Sequence, residues 1–310
     1  MSQVSIVIPV RNRPELIGRC LDSVKAQSLR PLDVIVVDNG STDNTRESVA
    51  LWVARNAGVG QDREFKVMLL EEKTRGAAAA RNRGLAAVAS PYVIFFDSDD
   101  VMHPRLAEKA LAAIGDADIV HWKGEIIGLD GKRRMKPFGT GNLLRRQLYT
   151  CPLSTQLYMA RTDLIESVGG WNENLPGWND WELGVRLLLN DPKTVALPEC
   201  LTTIFAQEKS ITGKKFSDKI GVWEASINAV EADIVASGRH DTARLLEMVD
   251  YRRAILGAHY HRENAHEAAY AVIRKAMNAK RRSLIKSLWL LALCHYTAAG
   301  GRGAYRLWRH

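Results

Sequence analysis

An α/β fold with a mostly parallel sheet is predicted by three observations. Short apolar runs alternate with helix-period segments from Val4 to about Ala89. The runs are continuous rather than alternating, as expected of strands covered on both faces. The fourth run, Tyr92 to Phe96, ends abruptly in Asp97-Ser-Asp-Asp100, where an open α/β sheet binds its ligands, past the carboxyl ends of its strands.

Taken in order, Val4–Val10 is a strand and Pro14–Gln27 a helix, with Leu16, Ile17, Cys20, Leu21 and Val24 on one face. Leu32–Asp38 is a second strand, closed by the turn-forming Asp38-Asn-Gly-Ser-Thr-Asp43. A helix to about Asn56, a strand over Phe65–Leu70 and an alanine-rich helix over Gly76–Ala89 follow. Repeated βα units of this kind give a parallel sheet with right-handed crossovers. A later helix is expected over Asn179–Leu189. Beyond Phe216 the pattern turns helical, over Asp218–Ser237, Asp241–His261, Asn264–Arg282 and Ser283–Ala299. The expected division is 1–215 for the α/β domain, split near residue 100, and 216–310 for a helical region.

At 310 residues the chain has ample material for a core, and 46% apolar and 25% charged residues are ordinary for a soluble protein. Cys20, Cys151, Cys200 and Cys294 are too scattered for a disulfide framework or zinc site. The opening Met1-Ser-Gln-Val-Ser-Ile carries no signal-peptide pattern, so a cytoplasmic location is expected. After Glu267 there is no Asp or Glu but nine Lys or Arg residues; removing those nine from the net +8 leaves residues 1–267 at −1. The basicity is therefore regional, and no base-stacking or groove-reading motif supports a nucleic-acid partner.

Three carboxylates packed together repel one another unless a cation neutralises them. Hard divalent ions such as Mg²⁺ or Mn²⁺ take oxygen ligands of this kind, together with substrate phosphates. A solvated acidic turn is the plain alternative. The ends of three strands, Pro9-Val-Arg-Asn12, Asp38-Asn39 and Asp97-Ser-Asp-Asp100, should share one sheet edge. Their amide and carboxylate groups suit a base and ribose. Neither GxGxxG nor GxxxxGK[ST] occurs, so a metal-centred nucleotide-diphosphate site is the better reading.

Five segments carry a family resemblance: Ser5-Ile-Val-Ile-Pro-Val-Arg-Asn12, Val36-Val-Asp-Asn-Gly-Ser-Thr-Asp43, Gly76 to Gly84, Phe95-Phe-Asp-Ser-Asp-Asp100, and Gly169-Gly-Trp-Asn-Glu173 leading to Asn179-Asp-Trp-Glu182. In order and spacing the chain resembles an inverting family 2 glycosyltransferase of GT-A fold over roughly residues 3–212. The resemblance implies a metal-dependent enzyme that moves a sugar from a nucleotide diphosphate to a hydroxyl acceptor. It implies that Pro9, Arg11 and Asn12 line the nucleotide pocket, that Asp38 and Asn39 meet the base, and that Arg81 meets the phosphates. Asp99 would ligate Mg²⁺ or Mn²⁺, with Asp97 on ribose or metal, Ser98 beside the donor and Asp100 in support. Asp180 aligns with the catalytic base. Gly76 and Gly84 read equally as helix-end glycines or donor contacts.

Asn39 stands where members often have Asp, and Asn179-Asp180 where the family has Glu-Asp. Glu182 is the nearest replacement carboxylate. No late His occurs over Ile204–Thr212, where Gln207 or Lys209 takes its place. Trp171, Trp178 and Trp181 are core residues or sugar platforms, and Trp178 and Trp181 are the expected acceptor contacts. UDP is the expected nucleotide. The basic, Trp-bearing segment 268–310 suits an anionic membrane surface, on the inner face of the membrane, with a lipid-linked glycan as acceptor. Packing within the protein or a homodimer is the alternative. Two other classes stay open. A sugar nucleotidyltransferase would need a Gly-rich basic loop after the first strand, unlike Pro9–Pro14. A non-catalytic sugar-nucleotide-binding module is the other.

Overall fold

The computed structural model describes residues 2–56, 64–207, 215–277, 283–301, 304 and 307. The chain forms two compact units. The first comprises residues 1–141, 152–176 and 190–206, and the second 142–151, 177–189 and 207–310. They interleave along the chain.

The first unit opens with β1 (Val4–Val10), α1 (Ile17–Lys25), β2 (Leu32–Asp38), α2 (Thr45–Asn56), β3 (Phe65–Glu71), α3 (Ala77–Leu85) and β4 (Tyr92–Phe95). It continues with β5 (Val101–Met102), α4 (Leu106–Ile114), β6 (Ile119–Ile127) and β7 (Arg133–Met135). After α5 (Leu143–Thr150), which belongs to the second unit, come β8 (Tyr158–Arg161) and α6 (Thr162–Ser167). Helix α7 (Asn179–Leu189) again belongs to the second unit, and β9 (Thr194–Phe205) returns to the first.

The nine strands of the described residues join one sheet in the order β3-β2-β1-β4-β8-β6-β9-β5, with β7 on β6. The β3-β2-β1-β4 half is parallel, as the βα repeats predict. Strand β8 runs antiparallel to β4 and β6, so the sheet is mixed beyond β4. The apolar runs of β1, β2 and β4 are buried with one face of α1, made of Ile17, Cys20, Leu21 and Val24.

Helix α3 is shorter than its alanine-rich pattern suggests, ending at Leu85. Its Gly84 resolves one ambiguity. A Cβ there would stand 2.3 Å from Val7 Cγ1 and 3.2 Å from Val37 Cγ2. Gly84 thus lets α3 lie directly on β1 and β2, whereas Gly76 is the helix N-cap with φ +144°.

The second unit is helical. After a 3-10 turn over Phe216–Lys219 come α8 (Val222–Ala236), α9 (Thr242–Arg262), α10 (His266–Met277) and α11 (Leu284–Ala298). The expected start of α8 at Asp218 falls in the 3-10 turn instead. Helix α7 buries Trp181, Leu183, Val185, Leu187 and Leu188, and packs with α5 and α8. Among the described residues no helix is long and apolar enough to cross a membrane.

Candidate active site

In the first unit, the loops after β1 and β2 are tied together. Asn12 takes φ +48°, a left-handed turn that Asn tolerates. Its backbone N–H donates to Ser41 Oγ (3.1 Å), and its Oδ1 accepts from Thr42 N (2.9 Å). Asp38 is buried and accepts from Ser41 Oγ at 2.5 Å. Pro9 and Arg11 are half-buried on the same stretch.

Asn39 spends its whole amide on the β3–α3 connection. Its Nδ2 donates to Glu72 O (3.1 Å) and Thr74 O (2.7 Å), while Oδ1 accepts from Gly76 N (2.9 Å). A carboxylate has no hydrogen to give those two carbonyls. Asn therefore answers a requirement of this loop, a role that the sequence alone did not reveal.

Arg81 is 5% exposed. Its Nη2 donates to Asp97 Oδ1 at 2.7 Å, and its guanidinium lies 4.4 Å from the Trp171 ring centre. Trp171 is buried and meets Phe95 edge-on at 5.1 Å. Asn82 fastens the tryptophan segment to α3, accepting from Trp171 N (2.8 Å) and donating to Trp171 O (2.9 Å). Trp171 is thus a packing residue that orients Arg81.

The three carboxylates after β4 sit in different surroundings. Asp100 is buried and accepts from Gln156 Nε2 (2.6 Å) and Phe205 N (3.0 Å), tying the turn to β9. Burial, then Asp97 and Asp99, push its carboxyl well above the usual range. Asp97 is paired with Arg81, and Ser98 is buried beside it. At Asp99 the paired cation, Arg13 Nη2, stands back at 4.0 Å. Arg19 Nη2 donates instead to the Asp99 backbone oxygen, at 2.6 Å. Burial and then Asp97 raise the Asp99 carboxyl, with Arg13 opposing.

Negative charge here is incompletely compensated, which is the condition a divalent cation relieves. Among the described residues no group of three or more metal-ligating side chains is assembled. Asp99 with Asp97 matches the ion that takes one or two carboxylates and draws further oxygens from phosphates. Gln207 is half-buried two residues past Phe205, and Lys209 lies outside the described residues.

In the second unit, Asp180 sits in the first turn of α7. Its Oδ1 accepts from Trp181 N (2.8 Å), and its Oδ2 faces the Cys151 thiol at 3.8 Å, a weak donor. Gln147 Nε2 donates to Trp181 O (3.2 Å) and holds the turn. Glu182 is no substitute for the carboxylate that Asn179 lacks: it is buried and takes both Nε (2.5 Å) and Nη2 (2.9 Å) of Arg186.

Trp178 has φ +50° and stays half-buried, packed against Trp181, Phe216 and Trp223. Trp181 requires a correction. It is 0% exposed, so it offers no face to an acceptor and serves as packing beneath Trp178. Gly177 is equally fixed, since a Cβ there would lie 2.6 Å from Trp223 Cζ3, and its carbonyl accepts from Ser226 Oγ at 2.5 Å. Arg252, which sequence reasoning did not single out, lies 4.3 Å from the Trp178 ring centre and 4.8 Å from that of Trp181. Burial lowers its pKa, while Cys151 and Asp180 nearby oppose that effect. No sequence signal marks it, because α9 presents it from 72 residues past Asp180.

The fold is of the GT-A type. Residues 5–158 match the glycosyl transferase family 2 model. The uncharacterized glycosyltransferase YibD of Escherichia coli is 31% identical over 118 residues, 38% of this chain and 32% of that protein. The amylovoran biosynthesis glycosyltransferase AmsB of Erwinia amylovora is 31% identical over 157 residues, 47% of this chain and 50% of its own length. The chain spans half or less of these curated relatives. TarS 1-349 of S. aureus, solved in complex with UDP-GlcNAc, superposes with a TM-score of 0.70 at 20% identity. The superposition covers 98% of this chain and 90% of that one, a likeness of fold.

Proposed function

We propose that the protein is an inverting glycosyltransferase that moves a sugar from a nucleotide diphosphate, UDP first, to a hydroxyl of a glycan or lipid-linked acceptor. The observation that carries this reading is the under-compensated pair Asp97 and Asp99 beside the buried Arg81, at the carboxyl end of a parallel strand in a family 2 domain. Arg81 cannot swing away: Trp171 holds its guanidinium and Asp97 its Nη2. A planar cation held in place suits the diphosphate's paired oxygens. Pro9, Arg11, Asn12, Asp38 and Ser98 shape the nucleotide side, with Asn39 acting through the loop it supports.

Asp99 and Asp97 would hold Mg²⁺ or Mn²⁺, which when bound supplies charge stabilisation for the departing nucleotide diphosphate. Asp180 takes the proton of the acceptor hydroxyl as that oxygen attacks C1 and the glycosidic bond to the diphosphate breaks, inverting the anomeric centre. This role rests on the resemblance of Asn179-Asp-Trp-Glu182 to the family's acidic motif. It is supported by an Oδ2 that meets the Cys151 thiol, a weak donor, at 3.8 Å. Trp178 remains the candidate platform for an acceptor sugar. The name of AmsB places that relative in polysaccharide biosynthesis, and a cell-surface polysaccharide or lipid-linked oligosaccharide is the corresponding acceptor here, reached from the membrane's inner surface through residues 268–310.

The test is a thermal-shift series with UDP, dTDP, GDP and their sugar conjugates, each with Mn²⁺ and with EDTA, on wild type and Asp99→Ala. A ligand at about 100 times its Kd adds about 2.7 kcal/mol to stability. Metal-dependent stabilisation by one nucleotide, lost in Asp99→Ala, supports the reading. No response to any nucleotide in wild type overturns it in favour of a module that has lost donor binding. Pyrophosphate release from a nucleoside triphosphate and a sugar phosphate would point to a nucleotidyltransferase.

A further inference from the structure

We infer that the outward face of α11 is a docking surface for an anionic phospholipid bilayer. The inference sharpens the membrane placement proposed above, but it stands on different residues from the transfer reaction.

Helix α11 is apolar on two sides. Ser287, Leu290, Leu293, Cys294 and Thr297 are buried, and Leu290, Leu293 and Cys294 pack in a cluster with Tyr251, Ala254 and Ala258 of α9. On the opposite side Leu284 (76% exposed), Ile285 (79%), Leu288 (57%) and Trp289 (46%) face outward, joined by Ala292 and Tyr296. At 100° per residue these six fall within an arc of about 140°. A helix of a soluble protein normally turns polar residues outward, so this face is built to be covered. His295 is the polar residue within the arc. Lys286 lies on the other side, where both carboxylate oxygens of Glu247 hold it at 2.8 Å.

Charge selects the occupant. No Asp or Glu follows Glu267, while Arg274, Lys275 and Lys280–Arg282 precede the helix and Arg302, Arg306 and Arg309 follow it. In sequence, the apolar helix is therefore preceded and followed by basic residues. A second copy would carry the same regional excess of positive charge and be repelled. An anionic headgroup layer is attracted instead, by about 1 kcal/mol per basic residue near the surface. The length fixes the mode of binding. Fifteen residues extend about 22 Å, short of the ~30 Å hydrocarbon core, so the helix lies in the interface with Trp289 at headgroup level. Trp289 Nε1 donates to Leu307 O at 3.1 Å, which holds the exposed Leu307 beside the same face.

The test is co-sedimentation of the full chain with phosphatidylcholine vesicles, with and without phosphatidylglycerol, at low and high salt. Wild type and the double variant Ile285→Glu/Leu288→Glu are compared. The expected result is binding that requires phosphatidylglycerol, weakens with salt, and falls at least about tenfold in the variant. Wild type left in the supernatant, binding that ignores lipid charge, or a variant that binds like wild type overturns the inference. So does a dimer in light scattering that the double substitution dissolves. The variant's thermal response to nucleotide checks that its fold is intact. It also separates a failure of this surface from a failure of the donor site.

Discussion

Arg252 meets two indoles that stand edge-on to each other, with its guanidinium carbon 4.3 Å from the Trp178 ring centre and 4.8 Å from that of Trp181. Its Nη1 also donates to Tyr149 O at 3.3 Å, so one side chain of α9 ties the end of α5 to the start of α7. Each cation–π contact contributes about 0.5–2 kcal/mol. Arg252→Ala should therefore lower stability by about 1–3 kcal/mol. Arg252→Lys should recover only part of it, because an ammonium lacks the planar, weakly hydrated guanidinium that packs on an aromatic face. Denaturant unfolding of the two variants checks this, and equal stability of Lys and Arg forms would refute it.

Asp180→Asn keeps the carbonyl oxygen that accepts from Trp181 N but cannot take a proton. Loss of a general base costs about 10²–10⁴ in rate. Turnover should fall by that factor while nucleotide-induced stabilisation persists. Steady-state transfer and thermal shift on the same preparation distinguish a lost base from a lost fold.

Asn39→Asp restores the residue common in related sequences, yet here it should destabilise. The new carboxylate faces Glu72 O and Thr74 O, which lose their donors. A buried acceptor left unsatisfied costs about 1–3 kcal/mol. A lower unfolding midpoint at pH 7 is the expected reading.

Asp233 gives a pH signature. Burial and then Glu182 raise its carboxyl, with Arg186 opposing, and its buried Oδ2 has no partner among the described residues. The folded state thus holds the proton more tightly than the unfolded chain. The resulting penalty is absent below the unfolded pKa and complete above the folded one. Asp233→Asn should match wild type in acid and become more stable than it, by about 0.5–2 kcal/mol, as pH rises to neutrality. Unfolding curves across that range show whether the difference grows with pH.

Gly84→Ala should cost about 1–3 kcal/mol by overpacking, since the added methyl meets Val7 Cγ1 at 2.3 Å. The equivalent change at Gly131, an exposed turn with nothing within 4 Å, strains only the local φ of +69°. Calorimetry of the two variants compares crowding with conformational strain.

The parallel half of the sheet was legible in the chain because continuous apolar runs leave a strand no exposed face, and β1 and β2 fall on their expected bounds. Helix α7 was equally legible from Asn179 to Leu189. The cluster Asp97, Asp99 and Asp100 announced itself through adjacency, since like charges in succession need a physical reason. Local sequence does not contain the partners that separate those three carboxylates. Only tertiary structure brings Arg81, Gln156 and Phe205 to Asp97 and Asp100, and sets the Arg13 guanidinium 4.0 Å from Asp99. Likewise, sequence marked Trp181 as aromatic but not as buried, and gave no hint of Arg252. Periodicity reports which face of an element is apolar. Which distant side chain meets that face depends on how the elements pack, and that is decided by the folded chain as a whole.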